Sequence, residues 1–283
     1  MIAAAAAAAC VFAILSERLA FAGSTTQPTR DDRSLYVLTS DQLAAGAHHT
    51  RHADLFSRGI DGYNLAVLRG IDKAQSTAPE GGGYFVGVKA SPPESPIGYA
   101  LSLFGKPLLS PPRATSYCSG SSYTAFIESL NLIFPDAASR LSPERFEALR
   151  MQEPDGGRRE DGVKFWGHWN DDGPGCQYAL VQYAKMGVEI EPAHARPGDF
   201  MNINWKSGLG HSTVFLGWKI DGDGKRSVLY WASQKGTNGL GDQLSPVEKI
   251  ASVKIVRLNR PEKLFEFDPA TPVDRKVAGD PVP

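Results

Sequence analysis

The sequence predicts an α+β fold, and two patterns carry that prediction. One long stretch after Cys118 has the spacing of a helix with a buried face. A succession of short alternating segments between Phe200 and Leu258 then reads as an antiparallel meander that follows the helices. The chain has 283 residues, 42% hydrophobic and 22% charged, enough apolar mass for a core. Lys+Arg 30 against Asp+Glu 31 leaves a net charge of -1, so nothing in the composition advertises nucleic acid or an acidic solvating tail.

The first elements concern export. Residues 2–15 form an apolar run too short to span a bilayer. The small-x-small pattern Ala20-Phe21-Ala22 follows it, as at a signal-cleavage site, although no Lys or Arg precedes the run. A signal peptide over 1–22 is expected, with the mature chain starting near Gly23; a retained anchor is the alternative. Cleavage would leave no integral membrane span. Residues 24–34 read as a polar lead-in, 23–109 as an N-terminal extension, 110–265 as the core domain, and 266–283, with four prolines, as a flexible tail. Within the extension, 62–77 looks helical and Gly83–Lys89 looks like a strand. Pro92, Pro93 and Pro96 mark a loop, and apolar Leu101–Leu109 is placed along the approach to Cys118.

Loss of the leader would remove Cys10 and leave Cys118 and Cys176, which an exported chain could join in a disulfide unless one is a working thiol. Cys118 lies in Thr115-Ser116-Tyr117-Cys118-Ser119-Gly120-Ser121-Ser122. Tyr123, Phe126, Ile127, Leu130, Ile133 and Phe134 follow at helical spacing, Pro135 stops the pattern, and Thr115 and Ser116 can cap it. A cysteine in a first turn meets unpaired N–H groups and the positive helix end, both of which favour thiolate and can later hold an oxyanion. The small neighbours read as room for a substrate. Cys176 opens a second helical run, closed by Gly187 as C-cap.

Strands are predicted at Phe200–Trp205, His211–Trp218, Ser227–Ala232 and Val253–Leu258, with Asp221-Gly222-Asp223-Gly224 as a hairpin turn rather than a calcium loop. His211 starts a core strand behind Gly208-Leu209-Gly210, positioned but not buried. His48, His49 and His52 read as a solvated face, with no nearby carboxylate to complete a metal set; His168 and His194 fall in loops. The cluster Phe165–Trp169 reads as a core edge or a sugar-stacking surface within a candidate insertion, Leu141–Gly175.

Tyr117-Cys118-Ser119-Gly120 at a helix start, Arg196-Pro197-Gly198-Asp199 before a strand, and Gly210-His211-Ser212-Thr213-Val214-Phe215-Leu216-Gly217 occur in that order. Together they make residues 110–260 resemble the papain-like peptidoglycan hydrolases of the NlpC type, close to the CHAP amidases. The resemblance implies a papain-like fold, the Cys helix packed on a small sheet that carries the His. It also implies Cys118 as nucleophile, His211 as base and a polar group on the next strand to orient the imidazole. The Cys–His separation of 93 residues is long for that family. The position matching the orienting residue falls near Trp231, which cannot accept a hydrogen bond; Ser233 and Gln234 are the candidates beyond it, and Gln234 is chosen because papain-like enzymes accept an amide there.

The expected activity is a secreted or periplasmic cysteine hydrolase that cuts amide bonds of peptidoglycan stem peptides through a thioester, needing no cofactor and no metal. A Cys–His peptidase, amidase or acyl transferase on another amide substrate stays open, as does an inactive, disulfide-stabilised binding module.

Overall fold

The computed structural model describes residues 35–60, 62–91, 93–111, 113–154, 164–166 and 174–283, all within a single compact unit. The expected leader, the lead-in, Cys10, His168, Trp169 and part of the candidate insertion lie outside the described residues.

Six strands form one antiparallel sheet: β3 (Gly187–Ile190), β4 (Phe200–Trp205), β5 (Gly210–Ile220), β6 (Arg226–Gln234), β7 (Gly239–Pro246) and β8 (Ile250–Leu258). Their order is β3-β8-β4-β5-β6-β7. A separate hairpin pairs β1 (Leu101–Leu103) with β2 (Lys106–Leu109). The helices are α1 (Ser40–Leu43), α2 (His52–Phe56), α3 (Asn64–Ser76), α4 (Cys118–Ile133), α5 (Pro143–Ala148) and the short α6 (Gly175–Gln177), which continues as a π-helical turn over Tyr178–Tyr183. The α+β class is therefore as the sequence predicts.

Alternation along the strands gives the sheet two apolar faces. Phe200, Val214, Leu216, Trp231 and Val256 face the main core with α3 and α4. Met201, Ile203, Phe215, Tyr230, Val253 and Ile255 build a second cluster. Helix α4 carries more than the single buried face its pattern suggests, because every residue from Cys118 to Leu130 is buried. Its small side chains make that enclosure possible. Gly70 of α3 approaches so closely that a Cβ there would sit 2.7 Å from the Ala125 carbonyl.

Several expectations are corrected. Gly83–Lys89 is not a strand: Gly87–Lys89 is a single 3-10 turn and Tyr84 makes only an isolated bridge to Ser116. Leu101, Leu103, Leu108 and Leu109 are core residues rather than a substrate approach. Gly187 is no C-cap but the first residue of β3, the turn before it being made by Lys185 at φ 54. Strands β3 and β7 are additional. The terminal segment is tied down, with Asp280 bridged to Val253 and ion-paired to Lys254.

Candidate active site

Cys118 is the first residue of α4, and no side chain caps that helix. The expected caps are used elsewhere: Ser116 Oγ donates to Ser233 Oγ at 2.6 Å, and Thr115 Oγ1 is buried without a partner. The small residues around the cysteine do not open a path for substrate. They let other chain segments close in. Ser119 Oγ meets Ser95 Oγ at 2.9 Å, Tyr117 N donates to the Pro96 carbonyl at 2.8 Å, and a Cβ on Gly120 would overlap that same carbonyl. Ser121 Oγ accepts from Ser233 N at 2.9 Å and Ser122 Oγ meets Ser212 Oγ at 2.6 Å. These serine contacts pin the first turn of α4 to β5 and β6, the strands that carry the histidine and the amide.

His211 lies opposite Ile203 in the sheet and is buried at 8% exposure, not half-open as the sequence suggests. Its Nε2 is 3.0 Å from Gln234 Oε1. An amide oxygen only accepts, so Nε2 carries the proton and Nδ1 keeps its lone pair. The amide cannot turn round freely, because Gln234 Nε2 donates to the Gly241 carbonyl at 2.9 Å. Burial lowers the His211 pKa to about 4 against the opposing effect of the Gln234 hydrogen bond, so the imidazole is neutral at physiological pH. Trp231 points to the opposite face and donates to Gln75 Oε1 at 2.8 Å, while Ser233 accepts from Ser116 Oγ and donates its backbone N–H to Ser121 Oγ of α4. Strand alternation thus continues to the end of β6 and places Gln234, not its neighbours, beside the imidazole.

A cavity of about 950 Å³ opens here, lined by His211, Gln234, Tyr84, Tyr117, Trp205 and Tyr230 among others. Tyr84 stacks on Tyr117 with centroids 5.6 Å apart, and Tyr230 stands edge-on to His211 at 5.5 Å. Burial pushes both Tyr84 and Tyr230 up to about 12, and the charge of a Cys118 thiolate adds to the rise at each. Cys118 itself is buried, and its helix reaches the cavity through Tyr117, the residue before it. Among the described residues, the only charged side chains lining the cavity are Lys89 and Lys235.

Cys176 is built differently. Cys118 and Cys176 are not joined in a disulfide. Cys176 Sγ donates to Asn202 Oδ1 at 2.6 Å, and burial pushes its pKa up to about 12. Phe165 and Trp166 are core residues around Tyr123, Phe126 and Phe200, with Trp166 Nε1 donating to Ser122 Oγ at 2.8 Å. They offer no sugar-stacking surface.

The sequence reading missed a second polar cluster. His52 is not on a solvated face but fully buried. Its Nδ1 is 2.7 Å from Asp72 Oδ1 and its Nε2 2.7 Å from Asp242 Oδ1, while His49 Nε2 is 2.7 Å from Asp242 Oδ2. The carboxylates come from α3 and β7, far away in sequence. Burial works against charging His52, but the two carboxylates outweigh it and raise its pKa to about 9. His49, His52 and Asp242 bring three possible metal-binding atoms within 4.8 Å of one another. The two imidazoles, however, are stacked, with centroids 4.1 Å apart and planes 26° from parallel. Their in-plane lone pairs cannot converge on one cation at about 2.1 Å from each nitrogen. The arrangement suits shared protons better than a metal.

No family model, curated protein or solved structure matches this chain. Among the described residues, no helix is long and apolar enough to cross a membrane.

Proposed function

We propose that the chain is a papain-like cysteine hydrolase that cleaves amide bonds, with Cys118 as nucleophile, His211 as general base and acid, and Gln234 as the residue that positions His211. The observation that carries the reading is the His211–Gln234 pair at 3.0 Å, facing the cavity at the uncapped start of the Cys118 helix. A protonated Nε2 leaves Nδ1 as the basic atom, and burial keeps the ring neutral, so Nδ1 holds its lone pair at physiological pH.

In the proposed reaction, His211 Nδ1 accepts the Cys118 thiol proton while sulfur adds to the substrate carbonyl carbon. The helix N-terminus stabilises the oxyanion and the forming thiolate. Collapse breaks the C–N bond, the imidazolium returns its proton to the leaving amine, and a thioester remains. Water, deprotonated by the same nitrogen, then releases the carboxylic acid and the free thiol. Each proton taken is returned, and nothing is oxidised or reduced.

Aromatic walls and two lysines, with no carboxylate lining the cavity among the described residues, favour a substrate that carries carboxylates of its own. Peptidoglycan stem peptides fit that description, and export by the N-terminal segment would bring the enzyme to them.

The test is alkylation of the folded protein by iodoacetamide from pH 5 to 9, with the modified residue mapped and His211→Ala run in parallel, followed by incubation with stem-peptide fragments. We expect Cys118 to label at least tenfold faster than Cys176 below pH 7, the advantage to vanish in His211→Ala, and new free amines to appear from the fragments. Equal, slow labelling of both cysteines, indifferent to His211, would sink the hydrolase reading. Activated labelling without cleavage of stem peptides would instead move the proposal to another amide substrate or an acyl acceptor other than water.

A further inference from the structure

We propose that the buried Asp72–His52–Asp242–His49 network is a positioning device for His211. It fixes β7, and through β7 the Gly241 carbonyl that decides which end of the Gln234 amide the imidazole meets. The inference rests on the cysteine-hydrolase reading.

Strand β7 is an edge strand that pairs along its length with β6, opposing Gln234 with Gly239, Ala232 with Gly241 and Trp231 with Asp242, and it meets Gly82 through an isolated bridge at Gly239. Its eight residues, Gly239-Leu240-Gly241-Asp242-Gln243-Leu244-Ser245-Pro246, contain no β-branched residue and two glycines, a sequence with little strand preference of its own. Something else must hold it in register. The segment ahead of α2 does so through its backbone, with Asp242 N donating to Ala47 O at 2.8 Å. The fit there is tight, since a Cβ on Gly241 would lie 2.8 Å from that same oxygen. The side chains add a charged grip, the Asp242 carboxylate being held by His52 on one oxygen and His49 on the other, both at 2.7 Å. Asp72 completes it by taking the other His52 nitrogen at 2.7 Å and the backbone N–H of His52 and Ala53 at 2.8 and 2.9 Å.

The residue next to Asp242 then matters chemically. A glutamine side chain presents either an acceptor or a donor to its neighbour, according to what its other end finds. Gly241 O can only accept, so it takes Gln234 Nε2 and leaves Oε1 for the His211 Nε2–H. Were Gly241 O displaced, the amide could rotate and offer its NH2 to His211. The ring would then have to accept at Nε2 and carry its proton on Nδ1, the tautomer that cannot act as base from that nitrogen. The network thus sets the proton position on His211 without touching substrate.

The test compares Cys118 alkylation rates of the full chain carrying Asp242→Asn, His49→Gln, Gln234→Ala, and each of the first two combined with Gln234→Ala. Folding is checked by circular dichroism, and the His211 tautomer is read from 15N shifts. Positioning through the amide predicts that Asp242→Asn slows labelling at pH 7 about tenfold and lowers the Nε2–H population. His49→Gln, which keeps the charged His52–Asp242 pair, should slow it about threefold and serves if Asp242→Asn does not fold. Neither change should slow labelling further once Gln234 is alanine. Wild-type labelling rates and an unchanged tautomer in the folded variants, or losses that add to that of Gln234→Ala, would overturn the inference alone. Wild-type labelling that ignores His211→Ala would overturn the hydrolase reading and this inference with it.

Discussion

Two buried imidazoles, His211 and His52, sit at either end of the same hydrogen-bonded chain and respond to burial in opposite ways. Burial disfavours the cation in both, yet one pKa is lowered to about 4 and the other raised to about 9. The difference is the partner. His211 donates to the neutral amide of Gln234, which orients the ring without rewarding a positive charge. His52 lies between two carboxylates, whose combined attraction exceeds the loss of hydration. Choosing an amide or a carboxylate beside a buried histidine therefore decides whether it is a base awaiting a proton or a fixed cation that holds strands together.

The largest effect should come from the cation. His52 has a folded pKa above its unfolded value of about 6.5, so its contribution to stability is complete below about pH 6.5 and is lost as pH climbs through about 9. The sign is opposite for His211, whose lowered pKa makes folding less favourable as pH falls from about 6.5 towards about 4. Urea unfolding of wild type and His52→Gln at pH 6 and pH 10 separates the two. The wild-type advantage should shrink by on the order of 3 kcal/mol at the higher pH. An advantage that stays constant would mean that His52 holds β7 by shape and hydrogen bonding alone.

The comparison can also be turned round at the other end. Gln234→Glu gives His211 the kind of partner His52 has. Its midpoint, followed by NMR of the ring Cε1–H, should rise from near 4 to above 6.5, a shift worth about 3 kcal/mol. If the midpoint stays near 4, burial rather than partner charge sets both sites.

How much of this could be read from the chain depends on how local each signal is. Helix α4 is legible because its apolar spacing and Pro135 are contained in one stretch, and so are β4, β5 and the Asp221–Gly224 turn; Gln234 rests on the family resemblance, and the fold sets it beside His211. Strand β7 is not legible, because glycines, Asp242 and Pro246 carry no strand pattern, and its conformation comes from pairing with β6 and from the clamp of residues 47–52. The burial of His52 was hidden for the same reason: its carboxylates lie 20 and 190 residues away. An apparently polar run, His48-His49-Thr50-Arg51-His52, is read as a solvated face until the fold supplies those partners. The serines beside Cys118 suffered the reverse error. Small size reads as access, whereas Ser95, Ser212 and Ser233 occupy the space it leaves.

The same contrast of partners separates the two cysteines, and here the expected effect is smallest. Cys176 lies second in the short helix α6 and Cys118 first in α4, so a place in the first turn alone does not distinguish them. Nor does burial, since both are enclosed; what marks Cys176 is that its Sγ donates to Asn202 Oδ1 and that burial pushes its pKa up to about 12, with Lys254 a minor opposing influence. A thiol so placed is a packing group with one hydrogen bond, not a nucleophile. Cys176→Ala should cost about 1–2 kcal/mol in urea unfolding, from a lost hydrogen bond and a small void. It should leave the rate and pH profile of Cys118 alkylation unchanged. A Cys118 rate that fell with Cys176→Ala would tie the two thiols together functionally and remove the distinction on which the choice of nucleophile stands.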